Sequence, residues 1–213
     1  MAINGTTVLQ NFDIIAAAGA ANKAIVEQFN ATADATGQIV IHFLNGSANY
    51  AKISGIEVIP GATATPTSVQ IDSGGFAAGT FVTDTYFSGG VTAASTNTID
   101  TSGVTNPAPQ AVYQSERYGA FTYTVPNLAA ESQYVVRLHF AEFHYTTSGK
   151  RIFNVAINGT TVLQNFDIVA AAGAANKAVV RQFTVTADAS GQIVITFMNG
   201  SADYAKISGI EVK

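Results

Sequence analysis

In QYVVRLHFAEF (133–143) the apolar residues Tyr134, Val136, Leu138 and Phe140 fall at every second position, the period of a strand with one buried face. AFTYTV (120–125), VVRQFTVTAD (179–188) and GQIVITFM (191–198) alternate in the same way, and AKISGIEV (205–212) predicts a closing strand. FNVAINGTTVLQNF (153–166) is two such runs joined by Asn158-Gly159, a pair suited to the positive φ angles of a two-residue hairpin turn. DIVAAAGAANKA (167–178) breaks the pattern: its alanines predict a helical turn, which Gly173 and Asn176 keep short. Short period-two strands between Gly, Asn and Asp turns predict an all-β fold, a jelly-roll β-sandwich.

The same pattern occurs twice. Residues 2–58 align with 156–212 without a gap, and nine of the 57 positions differ. Ile15/Val169, Ile25/Val179 and Leu44/Met198 keep side-chain volume, as packed positions require, and Glu27/Arg181 reverses a charge, as a solvated position tolerates. Three regions follow: 1–59 as the C-terminal half of one repeat, 60–69 as a Pro/Thr/Ala spacer stiffened by Pro60 and Pro66, and 70–213 as a complete repeat.

Composition narrows the class of function. Net charge is −4 and only 11% of residues are charged, so nucleic acid and anionic membrane are not expected partners. The chain has no cysteine, which removes disulfides, thiolate metal sites and cysteine nucleophiles. No apolar run approaches the roughly 20 residues of a membrane span, so no membrane insertion is expected. The opening MAINGTTV has neither a charged nor an apolar leader region, and Met1 reads as a start placed inside a longer, extracellular or cell-surface protein. Asn-x-Ser/Thr sequons stand at Asn4, Asn30, Asn45, Asn158 and Asn199, but four of them are Asn-Gly pairs that turn chemistry alone explains.

The segments YQSERYGAFTYTVPNL and YVVRLHFAEFHYTTSGKRIFNVAINGTTVLQNFDI carry a resemblance. Ser-Glu-Arg-Tyr (115–118), Leu-His-Phe-Ala-Glu (138–142), Gly-Lys-Arg-Ile-Phe-Asn-Val (149–155), Asn-Phe-Asp-Ile (165–168) and Ile-Ser-Gly-Ile-Glu-Val (207–212) resemble, in order, the malectin family of carbohydrate-binding domains over roughly 69–213. The resemblance implies a β-sandwich lectin that holds glucose-type oligosaccharides and does no catalysis. It also implies a sugar site at Tyr86, Tyr118, His144, Tyr145 and Asp203, where His144 replaces the family's usual aromatic residue. The chemistry fits. A pyranose has a C–H face that packs on tyrosine rings, and a hydroxyl rim that Asp203 can bind through charge-assisted hydrogen bonds.

The remaining polar residues read as structural. Glu116 and Arg117 are expected to pair and fix the Tyr118 loop, Phe143 to pack, and His139 to be a half-buried strand residue. Asp84, Glu116, Glu142 and Asp203 lie in no hydrolysis motif, so no enzyme is expected. His42, His139 and His144 are not spaced as metal ligands, and neither metal nor cofactor is expected. The alternative to a sugar-binding module is a structural or adhesive repeat of a surface protein or fibre. Residues 1–59 lack counterparts of Tyr86, Tyr118, His144 and Tyr145, and their amphipathic strands are expected to pack on another chain, giving a homo-oligomer.

Overall fold

The computed structural model describes residues 1–34, 36–59 and 68–213; most of the 60–69 spacer lies outside the described residues. The chain divides into two units, Met1–Thr63 and Ala64–Lys213. The first holds the short strands β1 (Ala2–Ile3), β2 (Thr6–Thr7) and β3 (Ile41–His42) and the helix α1 (Ile14–Ala18), with strand order β2-β1-β3.

The second is an all-β sandwich. Its elements are β4 (Val69–Asp72), β5 (Val82–Thr83), β6 (Phe87–Ala94), α2 (Gln110–Tyr113), β7 (Ser115–Val125), β8 (Gln133–Ala141), β9 (Ile152–Ile157), β10 (Thr160–Phe166), α3 (Ile168–Ala172), β11 (Ala178–Thr186), β12 (Ile193–Ala202), β13 (Lys206–Ile207) and β14 (Gly209–Val212). One sheet runs β10-β9-β12-β7-β13, with β6 along the other edge of β7; the second runs β11-β8-β14-β4-β5. The alternating residues of β8 bear out their pattern: Tyr134, Val136, Leu138 and Phe140 are buried between the sheets with Phe121, Phe153 and Phe197. Each such side chain contributes about 1.5–3 kcal/mol by leaving water. The Asn158-Gly159 hairpin joins β9 to β10, and α3 is a single turn capped by Asp167 and closed by Gly173 at φ 82°. Arg181 is half-buried, with its guanidinium over the Phe166 ring, so the Glu27/Arg181 reversal falls at a less solvated position than expected.

Two further expectations are corrected. AKISGIEV is not one strand: β13 pairs with β7 in one sheet, and β14 lies between β8 and β4 in the other. The crossing at Ser208–Gly209 needs glycine, since a Cβ on Gly209 would stand 2.5 Å from Val112 Cγ1.

His139 is fully buried, not half-buried. Phe81, Ile99, Ala108, Val112 and Tyr113 form a second apolar cluster that also takes in Ala141 of β8. The Phe81 ring meets His139 edge-on. His139 Nδ1 lies 2.8 Å from Tyr113 Oη and its Nε2 2.7 Å from Glu211 Oε1. Burial raises Glu211, but bonds from His139, Lys213 and Gln70 outweigh it and hold the carboxyl at about 2. Nε2 therefore carries the proton donated to this carboxylate. Burial disfavours a second proton on the ring, so Nδ1 accepts from the Tyr113 hydroxyl.

Candidate functional site

Tyr118 stands on β7, paired in register with Val91 of β6 on one edge and Lys206 of β13 on the other. Tyr204 immediately precedes Ala205 and β13, and its ring centre lies 6.2 Å from that of Tyr118 at 49°. With Gly90, Val91, Gly119 and Ala120 the two tyrosines line an open cleft of about 370 Å³. Glycine keeps its floor clear: Gly90 has φ 69°, and a Cβ there would stand 2.9 Å from the Tyr118 carbonyl oxygen.

Arg151 ties two loops beside this cleft. Its Nη1 donates to the Tyr204 carbonyl at 2.7 Å and lies 3.0 Å from Asp203 Oδ2, while Nε donates to Glu142 Oε2 at 2.6 Å. Glu142 Oε1 in turn accepts the backbone N–H of His144 at 2.8 Å and of Tyr145 at 3.2 Å. The loop bearing His144 and Tyr145 is thereby fixed to the loop bearing Asp203 and Tyr204. Burial alone would raise Glu142, but Lys206 and Arg151 hold it below the usual carboxylate range. The Asp203 carboxylate, as acceptor and negative charge, raises the Tyr145 phenol, which stays protonated and able to donate.

Beneath lies Lys206, fully buried, paired with Glu116 and 3.9 Å from Glu142, with its ammonium 4.1 Å from the Phe143 ring centre. Phe143 therefore packs, on that ammonium and on the second apolar cluster. Glu116 and Arg117 do not pair with each other. Successive residues of a strand point to opposite faces, so Glu116 reaches Lys206 and Arg117 reaches Asp84 at 2.7 Å. Tyr118 accordingly sits on a strand held from both sides, not in a loop.

Of the residues picked out in the sequence, the structure gathers Tyr118, Asp203, Tyr145 and His144, the last two with ring centres 4.8 Å apart. Tyr86 stands apart from them. Its carbonyl accepts from Thr124 N–H at 2.9 Å, at the far end of the β6–β7 pair. Thr124 is six residues along β7 from Tyr118, roughly 20 Å of extended chain. Two residues of the cluster escaped the sequence reading. Tyr204 directly follows Asp203 in a turn, where an aromatic side chain was the available signal; Arg151 looked like any strand-edge cation. A larger concavity of about 550 Å³, at the Asn158 hairpin, is lined by residues such as Val162, Phe183 and Thr184 and has no tyrosine or carboxylate. Among the described residues no group of three or more His, Asp or Glu side chains could hold a metal ion, and no helix is long and apolar enough to cross a membrane.

Three of the four candidate carboxylates are occupied by structural work. Asp84 accepts from Gly74 N–H, Arg117 and Tyr123, Glu142 from Arg151 and two backbone amides, and Glu116 faces Lys206. None is poised as the free acid or base that hydrolysis needs.

Comparison with known proteins agrees. The family model described as the Malectin domain matches residues 67–210. Malectin-B of Xenopus laevis is 40% identical over 65 residues, covering 30% of this chain and 23% of that protein. Malectin of Homo sapiens is 42% identical over 65 residues, 30% of this chain and 22% of that protein. Receptor-like protein 4 of Arabidopsis thaliana is 35% identical over 112 residues, 49% of this chain and 17% of that protein. The chain thus spans under a quarter of the length of these relatives. In fold it is similar to the ANX2 ectodomain from Arabidopsis thaliana, with TM-score 0.63 and 20% identity over 68% of this chain and 48% of that one. It is likewise similar to a chain in the complex of plant peptide RALF23 with FER and LLG2, with TM-score 0.61 and 18% identity over 68% of this chain and 47% of that one. The chain belongs to the malectin domain family, and the matched unit, residues 67–210, is a non-catalytic binding module.

Proposed function

We propose that residues 68–213 bind a glucose-type oligosaccharide at the Tyr118–Tyr204 cleft. The supporting observation is the combination of two tyrosine rings beside a glycine floor with a carboxylate held by Arg151. A pyranose C–H face stacks on the rings. Asp203 faces Arg151 through Oδ2 and accepts from Tyr145, and its remaining lone pairs accept a sugar hydroxyl, with His144 as a further donor or acceptor. Tyr86, at the far end of β6, belongs to this reading only as a contact to a longer chain.

The parent is read as an extracellular or cell-surface tandem-repeat protein, in which repetition raises avidity without new contacts. Residues 1–59 serve as an association surface, and light scattering of the full chain over a concentration series tests whether a second copy occupies it as a homo-oligomer. The second reading, a structural or adhesive repeat, draws on the near-identity of the two copies. Titration with glucose disaccharides, alongside a broad glycan array, separates the two. Saturable binding that Tyr118→Ala removes supports the sugar site; no binding to any glycan leaves the adhesive repeat.

A further inference from the structure

Residues 2–58 and 156–212 share all but nine of 57 positions, yet they reach different structures. In the complete unit β11 is bonded to β8, β13 to β7, and β14 to β4 and β8. All three partners lie in the front half, residues 68–155. The stretches equivalent to β11, β13 and β14, at 24–32, 52–53 and 55–58, form no strands. Ile53, Ile56 and Val58 are 57%, 56% and 64% exposed, whereas Ile207, Ile210 and Val212 are 0% exposed.

What needs no partner is kept. Asn4 bonds Val40 and Thr32 as Asn158 bonds Val194 and Thr186. Asn45 receives Ala51 N–H at 3.0 Å as Asn199 receives Ala205 N–H at 2.9 Å. Asn49 and Asp203 share the left-handed conformation at φ 61° and 52°. The charges also match an absent partner. Lys206 is buried against Glu116 and Glu142, and Glu211 meets Arg137 and His139, all four in the front half. Their counterparts Lys52 and Glu57 are both exposed.

We propose that residues 1–59 are a docking surface for one occupant, a further copy of the front-half segment 68–155. This chain's own 68–155 is filled by 156–213, so copies of the chain alone always leave one back half unmatched. The occupant is therefore a front half without its own back half. Docking aligns Ile53, Ile56 and Val58 with the inner sheet faces, buries Lys52 between two carboxylates, and brings Asn49 and Tyr50 beside the incoming Tyr118. The closed product carries a second cleft of the Tyr118–Tyr204 type; the sugar-binding part of this inference rests on the function proposed above.

The test is hydrogen exchange on the full chain refolded with an equimolar polypeptide 68–155. Expected are a one-to-one complex by light scattering and exchange slowed about tenfold or more at 24–32 and 52–58, both lost in Ile56→Asp. If the added segment precipitates, it is fused through its Val155 to Ala2 of the full chain and the same exchange is read. Unchanged exchange at 24–32 and 52–58, or equal binding to Ile56→Asp, overturns the docking. So does protection that the full chain acquires by itself as its concentration rises, which would assign the surface to self-association. Glucose disaccharide is then titrated into the fusion: two sites per chain support the second cleft. One site with protection intact removes the second cleft and leaves the docking, and no site with protection intact removes the sugar reading alone.

Discussion

Ile56 and Ile210 stand at the same place in two copies of one sequence, one open to water and the other at 0% exposure in the centre of a sheet. Around them the turns, caps and hairpins agree between the copies, while the long strands exist in only one. Asp13 caps α1 as Asp167 caps α3, and Asp34 closes the same turn with Thr36 and Gln38 that Asp188 closes with Ser190 and Gln192. Those features are encoded within a few residues. Strand formation in this fold is encoded across the chain, because its hydrogen bonds and its buried face both belong to another segment.

The comparison can be broken most forcefully by placing the same substitution in both copies. Ile210→Asp, which buries an unpaired carboxylate between the sheets, should cost more than about 4 kcal/mol or prevent folding. Ile56→Asp should change the unfolding free energy of residues 68–213 by less than about 0.5 kcal/mol. Equal effects on chemical denaturation would mean that the first copy is packed as tightly as the second.

Ligand binding gives the next contrast. Tyr118→Ala should remove measurable binding of a glucose disaccharide, and Tyr204→Ala should weaken it, while Tyr50→Ala should leave it unchanged in calorimetric titration. Asp203→Ala should weaken it by about 1.5–3 kcal/mol, the scale of a charge-assisted hydrogen bond. The milder Asp203→Asn, which writes the residue of the first copy into the second, should retain part of that affinity. If Asp203→Asn binds as the parent does, the carboxylate charge has no part in recognition.

The pH effects of two buried carboxyls are smaller. Glu211 is held at about 2 in the fold against an ordinary 4.5, so its contribution is fully present above pH 4.5 and is lost as pH falls through about 2. Asp72 behaves oppositely. Burial, opposed by its bond from Ser115 and reinforced by the Asp84 charge, raises it from 3.8 to about 6. Its contribution is present below pH 3.8 and is lost as pH rises through about 6. Asp72→Asn should flatten the unfolding midpoint between pH 4 and 6, and Glu211→Gln should flatten it below pH 4.5. A parent whose midpoint does not move over either window would contradict these assignments.

Much of the sandwich was readable because alternation reports a half-buried strand directly, as at Tyr134–Phe140, and Asn158-Gly159 fixes a hairpin by backbone preference. Strand β6, FSGGVTAA, was not, since adjacent glycines carry no face signal. The burial of His139 comes from Phe81 and Tyr113, residues distant in sequence and set in a stretch with no periodicity, so the strand pattern alone does not report it. The candidate cluster was legible as residue types, through Tyr118, His144, Tyr145 and Asp203. The Arg151–Glu142 tie that assembles them is a contact between loops nine residues and some fifty residues apart, which no local pattern announces. For the same reason Glu116 and Arg117 looked like a pair although the strand sends them to opposite faces.

The passage of the chain from one sheet to the other at Ser208 sets an order of events during synthesis. β14 lies in the middle of its sheet, between β8 and β4, although it is the last strand of its unit to be made. Until it arrives, β4 and β8 each present an unpaired edge, and the pairings that close them span some 140 and 70 residues. Such long-range closure is slow compared with hairpin formation. Throughout that interval another Ile-Ser-Gly-Ile-Glu-Val, at 53–58, has already left the ribosome on the same chain. Correct folding is thus a race between two copies of one strand for a single slot.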